Sequence, residues 1–79
     1  MVITYYAGAA DAAGAPRTEL DASDLTAAQL TELLGRDNAR LAEVLPHCTL
    51  LVDGTAVRDP GTLIGAGARI DVLPPFAGG

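Results

Sequence analysis

Apolar and polar positions alternate near both ends of this chain and follow a helical period in its middle. Residues 1–7, Met-Val-Ile-Thr-Tyr-Tyr-Ala, are rich in β-branched and aromatic side chains and predict a strand. The odd positions Ile3 and Tyr5 are assigned to its core face. The Ala/Gly-rich stretch 8–16 suits a connecting loop, and residues 17–20 a short return strand. Thr26 and Gln29 have the three-residue spacing of a capping box, and Leu25 and Leu30 flank it as a hydrophobic staple. Leu30, Leu33 and Leu34 then share one helical face, and Gly35 is expected to end the helix. A second short helix from Asn38 would turn Leu41, Val44 and Leu45 inward until Pro46 stops it.

Strand character returns at Thr49. Leu50-Leu51-Val52 and Thr55-Ala56-Val57 flank Asp53-Gly54, a favoured type I′ turn pair, and so predict a hairpin. Residues 59–61, Asp-Pro-Gly, break the chain. Residues 62–64 read as an irregular turn with Leu63 and Ile64 packed inward. Residues 68–73 alternate as a last strand with Ile70 and Val72 buried. Two strands, a helical segment and three more strands suit an α+β fold, a mixed sheet gripping one helical layer. The first and last strands are expected to pair in parallel at its centre. The expected domain is residues 1–73, followed by an extended tail, residues 74–79.

At 79 residues the chain has room for a single core, which its nearly half apolar composition can fill. No apolar run approaches the roughly 20 residues needed to span a bilayer, and no export signal is evident, so a cytoplasmic protein with no membrane contact is expected. Ten acidic residues face five basic ones, and all five are Arg: Arg17, Arg36, Arg40, Arg58 and Arg69. A net charge of −5 opposes binding to a nucleic-acid backbone. It fits a basic protein partner better, although solubility alone accounts for it. Without Lys there is no Walker-type phosphate loop and no side chain for an isopeptide bond. The single Cys48 cannot form an internal disulfide and is read as a small, buried apolar group; His47 is read as a surface loop residue. One His, one Cys and one Ser supply neither a metal cluster nor a nucleophilic triad, so no catalytic residue is assigned in the folded body.

The chemistry concentrates in Pro74, Pro75, Phe76, Ala77, Gly78 and Gly79. Two prolines end the last strand and favour an extended exit. Six residues reach roughly 20 Å at 3.3–3.6 Å each, enough to carry a terminal carboxylate into another protein's pocket. Glycine suits that end because a bare backbone passes a narrow channel and adapts to more than one site. Activated as an acyl-adenylate and attacked by a sulfur donor, the carboxylate would become a thiocarboxylate, a soft nucleophile able to deliver sulfur.

This ending resembles the Pro-Pro-x-x-Gly-Gly tail of the small subunit of molybdopterin synthase. The opening Ile-x-Tyr-Tyr-Ala strand, the helix at 26–34 and the Leu-Val-Asp-Gly hairpin are compatible with the same family. The resemblance implies a ubiquitin-like β-grasp fold of about five strands on one main helix, with a diglycine tail. It implies activation of Gly79 by an adenylyltransferase related to ubiquitin-activating enzymes, with ATP used by that partner and no cofactor bound here. A sulfurtransferase would install the sulfur. The large synthase subunit would receive the tail in a heterotetramer of two small and two large subunits, where sulfur is added to a pterin precursor during molybdenum cofactor synthesis. Phe76 falls where the family has a hydrophobic residue and would anchor the tail at the partner's entrance. Residues 64–69, Ile-Gly-Ala-Gly-Ala-Arg, stand where family members often carry an acidic turn, which puts partner contacts there in doubt. Other carriers on this fold, for cysteine, thiamin or tRNA thiolation, remain open, as does a ubiquitin-like modifier joined to target lysines through Gly79.

Overall fold

The computed structural model describes residues 1–75. Phe76, Ala77, Gly78 and Gly79 lie outside the described residues.

Five strands form a mixed sheet in the order β2-β1-β7-β4-β5. The first strand, β1 (Val2–Tyr5), lies antiparallel to β2 (Arg17–Glu19) and parallel to β7 (Arg69–Leu73). On its other side β7 pairs antiparallel with β4 (Thr49–Val52), which turns into β5 (Thr55–Val57). The expected parallel pairing of first and last strands is therefore present at the sheet centre. Its register sets Ile3 opposite Ile70 and Tyr5 opposite Val72. With side chains alternating between faces, that register puts all four on one face, where all are buried.

The helical layer covers that face. The capping box of α2 (Ala27–Gly35) is formed as expected. Thr26 Oγ1 accepts the Gln29 N–H at 3.1 Å, and Gln29 Oε1 accepts the Thr26 N–H at 2.9 Å. Leu30 is fully buried, and Leu25 packs against the same core. The second helix of this pair, α3 (Ala39–Val44), is capped by Asn38, whose Oδ1 accepts the Leu41 N–H at 3.1 Å. Leu41 and Leu45 are buried and Val44 packs against the core. In the hairpin turn both Asp53 and Gly54 have positive φ (49° and 86°), which identifies the type I′ geometry.

The structure corrects two readings of local structure and refines two others. Residues 8–16 are not all loop: Gly8–Ala13 form a helix, α1, that buries Ala9 and Ala12. Alanine has the best helix propensity, and its short side chain lets this helix sit close to the core. Gly14, at φ 78°, closes it in the left-handed conformation. α2 does end at Gly35, which is its last helical residue rather than a left-handed cap; a Cβ there would lie 2.9 Å from Ala42 Cβ, so Gly35 also allows close approach between α2 and α3. α3 ends at Val44, ahead of Pro46 as expected, but the chain continues into a 3₁₀ turn, Leu45–His47, where the missing N–H of Pro46 costs nothing. Leu63 and Ile64 form a short strand, β6, paired antiparallel with β3 (Leu25–Thr26). Alternation along it buries Ile64 and leaves Leu63 65% exposed, so only one of the apolar pair points inward.

Candidate functional site

The tail leaves from the best-secured strand in the molecule. Ladders on both sides hold β7, and its register runs to Leu73, opposite Thr49. The start of the strand is also fixed: Asp53 accepts the Arg69 N–H on its Oδ1 at 3.0 Å, and the Asp53 N–H donates to the Arg69 carbonyl at 2.9 Å. Asp53 thus serves the hairpin turn and the base of the tail-bearing strand together.

At the other end, Pro74 is half-buried and Pro75 exposed. Beside them runs an open groove of about 810 Å³ lined by Gly8, Glu43, Val44, His47, Pro74 and Pro75. Three separate parts of the chain meet here: the start of α1, the end of α3 with its 3₁₀ turn, and the root of the tail. Tyr6 borders the same end of the sheet. Its N–H extends the β1–β7 pairing by donating to the Val72 carbonyl at 3.2 Å, and its hydroxyl donates to Asp71 Oδ1 at 3.3 Å. This ring is 42% exposed, on the side of the sheet away from Tyr5.

Of the predicted tail residues, Pro74 and Pro75 are therefore described and follow directly on the C-terminal end of the central strand β7. Phe76, Ala77, Gly78 and Gly79, Gly79 being the predicted reactive residue, lie outside the described residues. His47 is exposed, as its sequence context suggests, yet it borders the tail root, a neighbourhood that no local pattern signals. The strand parity that turns Tyr5 inward already turns Tyr6 outward, so the tyrosine could have been placed near Asp71.

The folded body offers little chemistry of its own. Among the described residues no polar or charged residue is buried, and no three His, Cys, Asp or Glu side chains are grouped closely enough to hold a metal ion. Cys48 is half-buried against the core, its Sγ donating to the Val44 carbonyl at 3.3 Å. Burial pushes its thiol pKa up, which disfavours the reactive thiolate. Among the described residues, no helix is long and apolar enough to cross a membrane.

A mixed sheet whose central strand leads directly into Pro74 and Pro75 invites comparison with small carriers. A profile of the ThiS family matches residues 3–79. The chain belongs to the ThiS family. These are ubiquitin-like sulfur carriers, generally non-catalytic, that work with activating enzymes and partner proteins. Among solved structures, a crystal structure of SAMP1 from Haloferax volcanii is similar at 25% identity and a TM-score of 0.81, covering 100% of this chain and 98% of that one. Another, described as H. volcanii small archaeal modifier protein 1, gives 24% identity, a TM-score of 0.80 and coverage of 96% and 97%. The solution structure of the Haloferax volcanii HVO 2177 protein gives 23% and 0.69, covering 99% of this chain and 84% of that one. No match was found among curated proteins. The β-grasp fold expected of the ThiS family is thus present, with α2 as the main helix and the shorter α1 and α3 beside it.

Proposed function

We propose that this ThiS-family chain is the sulfur-carrying subunit of a molybdopterin synthase, with Gly79 as the residue that bears the sulfur. The observation that carries the reading is the Pro-Pro-Phe-Ala-Gly-Gly ending, joined at its root to the central strand β7. A cytoplasmic adenylyltransferase uses ATP to convert the Gly79 carboxylate into an acyl-adenylate, with loss of pyrophosphate. A sulfur nucleophile delivered by a sulfurtransferase displaces AMP and leaves a thiocarboxylate. The folded body docks outside the large synthase subunit while residues 74–79 reach inward. Two small and two large subunits make the working assembly. The chain itself contributes no catalytic side chain; it presents a backbone carboxylate for others to load and unload.

Intact mass spectrometry on protein from cells containing the activating system tests the loading step. The expected result is replacement of one oxygen by sulfur, located at Gly79. Co-purification of the large synthase subunit, and loss of molybdopterin when the gene is removed, test the choice of pathway. Normal cofactor levels in such cells would instead favour a carrier for cysteine, thiamin or tRNA thiolation.

The likeness to small archaeal modifier protein 1 favours a second reading, a protein modifier joined to lysines through Gly79. Gly-Gly remnants on lysines of digested cellular proteins, traceable to this chain, support it. Their absence alongside a thiocarboxylate favours sulfur transfer alone.

A further inference from the structure

An activated C-terminal acyl group is electrophilic towards every nucleophile near it, including those on other copies of its own chain. The accessible nucleophiles of this molecule are few. The sequence contains no Lys, and its five cations are guanidinium groups, which stay protonated and do not accept acyl groups at neutral pH. The Met1 nitrogen is the remaining amine among the described residues. It donates to the Leu20 carbonyl at 2.8 Å and to the Ala66 carbonyl at 2.9 Å, so it would have to leave both acceptors before attacking. A hydroxyl needs a neighbouring base to attack an acyl carbon. The exposed Tyr6 hydroxyl does donate to Asp71 Oδ1 at 3.3 Å, but a carboxylate is a weak base towards a phenol, and an aryl ester formed there would remain an activated acyl donor open to hydrolysis. The one imidazole, His47, borders a groove whose other lining residues, Gly8, Glu43, Val44, Pro74 and Pro75, carry neither hydroxyl nor thiol. Cys48 is half-buried and turned towards the Val44 carbonyl.

We infer that the chain is a donor-only acyl carrier: the activated Gly79 of one copy finds no acceptor on another, so each acceptor nitrogen receives a single copy and no chain grows from it. The inference rests on activation of Gly79 and bears most on the modifier reading. In the permitted transfer, a foreign lysine nitrogen attacks the Gly79 acyl carbon of the adenylate formed with ATP. A C–N bond forms, the C–O bond to AMP breaks, AMP leaves with the electron pair, and the nitrogen sheds a proton to water. A tag of this kind cannot be extended through itself, and a loaded carrier is not consumed by its neighbours.

The test uses the full chain bearing a thioester at Gly79, made by intein cleavage and held concentrated at mildly alkaline pH. Wild type should only hydrolyse, and should give a monomeric amide when Nα-acetyl-lysine is added. The Arg58→Lys variant, altered at an exposed position, should give covalent dimers and longer chains. Acetylation of the Met1 nitrogen by N-hydroxysuccinimidyl acetate should be about tenfold slower in the folded chain than in urea, the factor that one or two net hydrogen bonds supply. Covalent dimers of the wild type, equal acetylation rates in the two states, or the absence of chains from Arg58→Lys would each overturn the inference. Failure to find foreign proteins linked to Gly79 in cells would sink the modifier reading and leave these results standing.

Discussion

Ala7 carries backbone strain: it links β1 to α1 at φ 49° and ψ −126°, a conformation that a Cβ disfavours. Ala7→Gly should therefore raise stability by about 1 kcal/mol, read as a higher urea midpoint with an unchanged slope. Gly35 makes the opposite case. Ala would gain up to about 1 kcal/mol in helix propensity. The new methyl, however, meets Ala42 Cβ at 2.9 Å and Cα at 3.1 Å, and moving packed helices costs roughly 1–3 kcal/mol. The clash wins, so Gly35→Ala should lower the urea midpoint. Cys48 couples stability to pH. Its folded pKa is raised by burial above the ordinary value of 9.0, so the unfolded chain loses that proton first as pH rises. Its contribution is fully present below that value and is lost as pH climbs through the folded pKa. The urea midpoint of wild type should fall relative to that of Cys48→Ala as pH rises past 9.0.

Elements with a local signature were legible in the sequence. The capping box of α2, the Asp53-Gly54 turn and the alternation of β1 and β7 each depend on residues a few positions apart, and each is present. Thr26→Ala removes one half of that box and should cost about 1 kcal/mol by thermal or urea unfolding. Leu30→Ala, at the fully buried centre of the same helix, should cost about 2–5 kcal/mol. What was not legible depends on distant partners. α1 is recognisable as a helix once its Ala9 and Ala12 have a sheet to cover. It gains a further tie when Asn38 Nδ2 donates to the Ala12 carbonyl at 2.8 Å, across 26 residues of sequence. β6 exists because β3 lies opposite it, and two residues are too short to show a period of their own. The meeting of His47 with Pro74 and Pro75 has the same origin, since only the finished sheet brings the end of α3 to the tail root.

At the scale of the whole molecule, fold and chemistry separate. The core is built from residues 3–72, whereas the proposed reactive carboxylate belongs to Gly79. Removing Gly79 should leave the urea midpoint within about 0.5 kcal/mol of wild type, the usual range for changes away from the core. The same deletion should abolish thiocarboxylate formation by mass spectrometry. Unimpaired sulfur loading of the shortened chain would overturn the proposed role. The tail motif is a run of adjacent residues that can be read without tertiary neighbours, and the ThiS profile reaches residue 79.

The parallel pairing of β1 with β7 also has a mechanical side. The chain enters the sheet at the start of β1 and leaves it at the end of β7, so tension between its ends slides the two strands lengthwise past each other. Their cross-links then share the load and must yield together. Tension across the open end of the β4–β5 hairpin instead breaks its links one after another. Optical-tweezer traces pulled from the termini should rupture at a clearly higher force than traces pulled between Thr49 and Val57. A pull applied beyond Leu73 while the start of the chain is held would accordingly meet the full resistance of the β1–β7 ladder.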